Sequence, residues 1–337
     1  MTPLTPLTPL TRLSRLSRLT RLGLIAAAAA ALLVTACTPA VPAAHQVANP
    51  APDQTVPSNW GSNIEPAQSD VLYTAGGSRG CGPNATDSAC GGSQTLDIYP
   101  ANGRSKGTIV WIHGGGFAGG DKDLRSDIGP LLHQTQQGWD FVSINYRLAN
   151  IQNGTNLFPT AITDVESAIS WLRANGNSAG LNTSKIITAG HSAGGTLATL
   201  AGVASNTGNP SYASVSHVDG YMSFSGIMEF SISDNSLFWG SYWFPGNSQT
   251  TTASPAYHLD PSDPPGYLVH GDSDPSVDIA NAQRMKNIAI DGGYPNNVLF
   301  DIVDAYADGT AQPISVRGHI PAGGANSASI NAWLDRR

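Results

Sequence analysis

A chain of 337 residues with 40% hydrophobic content is long enough to bury the core of one large α/β domain, which excludes a disordered tract or a small disulfide scaffold. Its 17 basic and 24 acidic residues give a formal net charge of −7 and exclude the basic surface that nucleic acid or an anionic membrane would demand.

Taken in chain order, residues 1–36 stand apart. Arg12, Arg15, Arg18 and Arg21, with no acidic residue among them, precede Leu24, Ile25, a run of alanines from Ala26 to Ala31, and Leu32-Leu33-Val34. A basic front before an apolar stretch too short to span a bilayer reads as a secretory signal peptide, which takes no part in the fold. Without those four arginines the chain holds 13 basic against 24 acidic residues, a net charge near −11. Val34-Thr35-Ala36-Cys37 resembles the lipobox of bacterial lipoproteins, where the cysteine is acylated; the alternative is a plain signal cleaved near Ala36. The expectation is an exported protein at the bacterial cell envelope, attached to the membrane only through a lipid on Cys37, or a secreted one if the lipobox is not used. Residues 37–67 read as a Pro/Ala-rich tether and N-terminal extension, and residues 68–337 as a single globular domain. Cys81 and Cys90 are expected to close a small disulfide loop in an oxidising compartment, with free thiols as the alternative. Their spacing does not match a zinc site.

Within the domain, short apolar or β-branched runs at 108–112, 141–144, 185–189, 221–224, 266–270 and 298–302 have the composition of strands buried on both faces. Between them lie helical patterns. Ile162, Val165, Ile169 and Leu172 recur at steps of three and four, and further helices are expected from about 193, over 277–290 and over 330–334. Alternating strand and helix predicts a doubly wound, mostly parallel sheet. The stretch 227–258, with FWGSYWFPG at 238–246, breaks the rhythm and reads either as a small lid-like insertion walling a pocket or as an irregular surface excursion.

Two glycine-rich stretches carry chemistry. GHSAGG at 190–195 joins a strand to a helix, the context in which a G-x-S-x-G serine sits on a sharp turn with its hydroxyl lifted above the sheet. His113-Gly114-Gly115-Gly116-Phe117 follows strand 108–112, where consecutive glycines let backbone amides approach a developing oxyanion. A phosphate loop does not fit, because Asp121 separates Gly120 from Lys122 and no Ser or Thr follows the lysine.

With TLDIYP at 95–100, IHGGGFAGGDK at 112–122, SINYRLA at 143–149, FPTAITDVESAISWLR at 158–173 and AGHSAGGTLATLAG at 189–202, the chain resembles the α/β-hydrolase esterases and lipases. The likeness is to the HGGG-bearing group related to hormone-sensitive lipase and to bacterial xylan or feruloyl esterase-like proteins, and it spans about residues 93–275. It implies an α/β-hydrolase fold with a catalytic triad in the order Ser, acid, His. The nucleophile falls on Ser192. LVHGDSDPSVD at 268–278 resembles the family's acid loop and puts the acid at Asp274, with Asp272 as the fallback; a calcium loop is discounted because Val277 and Gln283 stand where glycine and glutamate are required. His319 is the one histidine after Asp274, and Gly318 before it matches the family, although Pro321 stands where an aromatic is usual. The resemblance places the oxyanion on the amides of Gly115, Gly116 and Ala193. Phe117, Trp239 and Trp243 are the candidate substrate-binding residues.

The expected activity is a serine carboxylesterase for short-chain or small acyl esters, acting on a small-molecule or polysaccharide ester, with no metal and no organic cofactor. The alternatives are a peptidase or amidase of the same fold and a catalytically inactive binding module.

Overall fold

The computed structural model describes residues 64–77, 92–123, 128, 131–204, 217–246, 249–303, 318–319 and 327–337. Among them, the strands are β1 (Gln68–Leu72), β2 (Thr95–Tyr99), β3 (Thr108–Ile112), β4 (Asp140–Ile144), β5 (Ile186–His191), β6 (Gly220–Phe224), β7 (Gly266–Gly271) and β8 (Val298–Val303). The main helices are α1 (Thr160–Asn175), α2 (Ala193–Val203), α3 (Asp234–Gly240), α4 (Ala280–Asp291) and α5 (Ser327–Leu334). The strands form one sheet in the order β1-β2-β4-β3-β5-β6-β7-β8. β1 and β2 join antiparallel at one edge, and from β4 to β8 every neighbouring pair is parallel. The doubly wound, mostly parallel sheet read from the sequence is therefore present.

β3, β4, β6 and β7 are buried at every residue, which is why apolar side chains dominate each of them. Alternate side chains serve the two faces. Val110, Ile112, Val142 and Ile144 share a core with Ile162, Val165, Ile169 and Leu172 of α1 and with Leu197 and Leu200 of α2. Ile109, Trp111, Phe141, Met222 and Val269 share the opposite core with Ile330, Trp333 and Leu334 of α5. Each large aliphatic side chain enclosed this way contributes about 1.5–3 kcal/mol. Among the described residues no helix is long and apolar enough to cross a membrane.

The topology fixes where chemistry can occur. β3 leads to β4 on one side of it, and β5 lies on the other, so the carboxyl ends of β3 and β5 open a crevice where the winding reverses. Both glycine-rich stretches leave the sheet at that edge, and the acid loop leaves β7 two strands away.

Asp263, just ahead of β7, is a buried carboxyl whose Oδ1 has no hydrogen-bond partner among the described residues, while Oδ2 accepts from the Asp260 amide at 2.7 Å. Burial pushes its pKa up to about 7. The unfolded chain releases that proton near pH ~3.9, so between about pH 4 and 7 the folded state holds one more proton and stability falls as pH rises. Asp263→Asn removes this dependence. The variant is expected to be more stable than the unmodified chain at pH 8 by on the order of 3 kcal/mol and little different at pH 4, checked by urea unfolding at both values.

Candidate active site

β5 ends at His191 and α2 begins at Ala193, so Ser192 alone makes the turn, at φ 54° and ψ −120°. Side-chain-bearing residues rarely adopt that backbone, and a strained conformation persists only where its surroundings over-determine it. Here the Ser192 amide donates to the Phe224 carbonyl at 2.8 Å, and the Ser192 carbonyl accepts from the Thr196 amide at 3.1 Å. The flanking glycine is a steric demand, since a Cβ on Gly194 would strike the carbonyls of Ile112 and His113.

The loop after β3 lies directly against this turn. A Cβ on Gly114 would sit 3.0 Å from the His191 carbonyl oxygen and 3.3 Å from Ser192 Cβ. Gly115, Gly116 and Phe117 all take positive φ, at 111°, 60° and 64°. Phe117 is held there by its carbonyl, which accepts from Ala149 at 2.9 Å, and by its ring, stacked on Trp243 at 4.1 Å. His113 stacks on Tyr146 at 4.3 Å, and the Tyr146 hydroxyl donates to the His113 carbonyl at 3.0 Å. At the far end Lys122 is buried between Asp97 at 2.9 Å and Asp70 at 3.0 Å. So braced, the loop presents amides that its own fold does not use: among the described residues nothing accepts a hydrogen bond from the amides of Gly115, Gly116 or Ala193.

Asp274 sits on the loop after β7 with its side chain fully buried. Its Oδ1 accepts from the amides of Ser276 at 2.8 Å and Val277 at 2.9 Å, and its Oδ2 lies 2.8 Å from Nδ1 of His319. Burial pushes the carboxyl pKa up, but the hydrogen bonds from His270 and His319, the charge on His319 and the Val277 amide outweigh it and hold Asp274 well below the usual carboxylate range. An ionised carboxylate therefore faces the imidazole throughout neutral pH. Asp272, by contrast, accepts from the Ser273 hydroxyl at 3.0 Å, and the carboxylate that reaches His319 is Asp274. The His319 ring lies 4.6 Å from that of His191, the residue preceding Ser192. Because Asp274 binds the amides of Ser276 and Val277, α4 starts only at Ala280 and not at 277 as the apolar spacing predicts.

The aromatic stretch 227–258 packs onto both loops. Ser233 caps α3, its hydroxyl accepting from the Ser236 amide at 3.2 Å. Trp239 donates from Nε1 to the Ser276 carbonyl at 3.0 Å, and a Cβ on Gly116 would meet its ring at 3.0 Å. Trp239 thus stands between the acid loop and the glycine loop. Phe117 and Trp243 do not share that position: both are fully buried and stacked on each other. Their aromaticity supports the loop from behind.

Two residues that the motifs do not single out hold the site together. Asn281 is fully buried and accepts from the amides of Met228 at 2.9 Å and Glu229 at 3.0 Å while donating to Ser236 Oγ at 3.1 Å, which fixes the aromatic stretch to α4. His270 lies behind Asp274. Cys37, Cys81 and Cys90, with the lipid attachment and the disulfide expected of them, fall outside the described residues.

Lipase 2 of Moraxella sp. is 36% identical over 121 residues, covering 33% of this chain and 26% of its own length. Esterase LipC of Mycobacterium tuberculosis is 32% identical over 123 residues, 36% of this chain and 29% of its own length. The matches thus span under a third of these relatives. Among solved structures, a truncated carbohydrate esterase from gut microbiota superposes with a TM-score of 0.61 at 20% identity, over 81% of this chain and 97% of that one, and shares the fold. The pattern of the BD-FAE family matches residues 96–288. That stretch is more than half of the chain and runs from β2, through both glycine-rich loops and the acid loop, into α4, so the protein belongs to the BD-FAE family and has the α/β-hydrolase fold.

Proposed function

We propose that the protein is a serine carboxylesterase acting on short-chain or small acyl esters. The observation that carries this reading is the 2.8 Å bond from His319 to an ionised, buried Asp274 at the same sheet edge as the strained Ser192. Asp274 keeps the proton of His319 on Nδ1, leaving Nε2 to take the Ser192 proton as Oγ attacks the ester carbonyl. The oxyanion is received by the amides of Gly115, Gly116 and Ala193, donors already oriented before the reaction. Collapse expels the alcohol, protonated by His319. Water activated by the same imidazole then cleaves the acyl-serine, releasing the acid and restoring Ser192.

A small acyl group is favoured by Trp239, which walls the glycine loop at Gly116. A carbohydrate alcohol is favoured by the structural neighbour's description as a carbohydrate esterase and by the aromatic edge at α3. There Phe238 is 52% exposed and lies 5.2 Å from Trp239 and 5.4 Å from Tyr242, an apolar surface on which a sugar ring can rest. Export to the cell envelope through the N-terminal signal, with Cys37 as the lipid anchor, belongs to the same proposal.

A p-nitrophenyl ester series from acetate to palmitate tests the reading. Turnover is expected to be highest on acetate and butyrate and to fall steeply with chain length. Cleavage of peptide p-nitroanilides with no turnover of any ester would replace the esterase by an amidase, and inertness toward both would leave a binding module.

A further inference from the structure

His270 is the penultimate residue of β7 with 1% of its surface exposed, and the reaction described above gives it no task. Its Nε2 lies 2.8 Å from the Val277 carbonyl oxygen. A carbonyl can only accept, so the imidazole carries its proton on Nε2. The same nitrogen lies 3.4 Å from Oδ2 of Asp274, the oxygen that faces His319. Val277 closes the arrangement from the other end, its amide donating to Asp274 Oδ1 at 2.9 Å. The ring therefore ties the end of β7 to Val277 across the loop, with the carboxylate enclosed.

Building on the proposed esterase reading, we infer that His270 is a positioning residue, whose Nε2–H bridges Val277 and Asp274 and fixes Oδ2 toward His319. With the Ser276 and Val277 amides on Oδ1, His319 Nδ1 on Oδ2 and His270 Nε2 beside that same oxygen at 3.4 Å, the carboxylate cannot rotate without breaking contacts in a buried site. A buried network of this kind is what keeps a triad acid within the narrow geometry its base requires. His270 touches no reacting atom and acts through Asp274.

Three variants of the full chain test this. In His270→Gln an amide N–H reaches the level of the lost Nε2; in His270→Asn it stops about one bond short; His270→Phe keeps the volume with no donor. On p-nitrophenyl acetate, kcat of the Gln variant is expected within about threefold of the unmodified chain, and that of the Asn and Phe variants lower by roughly 10- to 100-fold, with KM within about twofold throughout. Thermal unfolding of each variant reports whether it folds. The inference is overturned if Asn and Phe keep the unmodified kcat, if Gln falls as far as Asn, or if KM changes in place of kcat. Loss of the fold in both Asn and Phe variants makes the contact structural and overturns the positioning role as well. An unmodified chain inactive on every ester removes the proposed function and this inference with it, whereas an active chain with an unchanged Asn variant removes only the role of His270.

Discussion

Ser192→Ala is expected to lower kcat on p-nitrophenyl acetate by about 10⁶ while leaving the fold intact. Alanine has the same Cβ as serine, so the φ of 54° is no more costly for it, and the amide bond to Phe224 and the carbonyl bond to Thr196 are backbone interactions that survive. The three uncommitted amides also survive. They leave a residual acceleration of about 10³ over water, because stabilising an oxyanion does not require the serine. The check is kcat for the two chains together with their unfolding midpoints. A variant that keeps more than a few per cent of the activity with an unchanged midpoint moves the nucleophile to another residue.

Asp274→Asn is expected to lower kcat by about 10⁴. The amide can still accept from Ser276 and Val277 through its oxygen, so the loop retains its shape. Its NH₂ group then lies where Oδ2 stood, directed at the Nδ1–H of His319 and the Nε2–H of His270. Donor meets donor on both sides, and His319 is driven to the tautomer that cannot take a proton from Ser192. Asp272→Asn, whose side chain bonds the Ser273 hydroxyl, is expected to stay within about threefold of the unmodified chain. The reverse ranking of the two variants would transfer the acid to Asp272.

How far the molecule can be read from its residues depends on whether the deciding contact is local. β3, β4, β6 and β7 are legible because strands buried on both faces are dominated by apolar and β-branched side chains. β1 is not: it is an edge strand written QSDVL, mostly exposed, with a register break and Asp70 at φ 53°. Its Asp70 pairs at 3.0 Å with Lys122, far along the chain, and donates its amide to Asp97 Oδ1 at 2.8 Å. β2 is similarly masked by Asp97 at its centre, a charge tolerated there because Lys122 lies at 2.9 Å.

The same division runs through the site. The turn at Ser192 is spelled locally by a strand, two glycines and a helix, and the glycine loop by its own run. Asn281 and His270 have no such spelling. Asn281 works on amides 52 and 53 residues away, and His270 acquires its task only once the acid loop has closed on Val277. Phe117 and Trp243 are a different case. As aromatics beside a glycine loop they read as pocket residues, and their mutual stacking in the core, a long-range contact, is not spelled in the local sequence.

If Ser192 is a nucleophile activated by His319 and Asp274, it reacts covalently with an electrophile that mimics the acyl group. The most direct test is to treat the protein with a fluorophosphonate probe and map the adduct by peptide mass spectrometry. One equivalent is expected at Ser192, with loss of ester hydrolysis in proportion to labelling and no labelling of the Asp274→Asn chain on the same timescale. An adduct on another serine, or ester hydrolysis that persists once Ser192 is fully labelled, would contradict that role of Ser192.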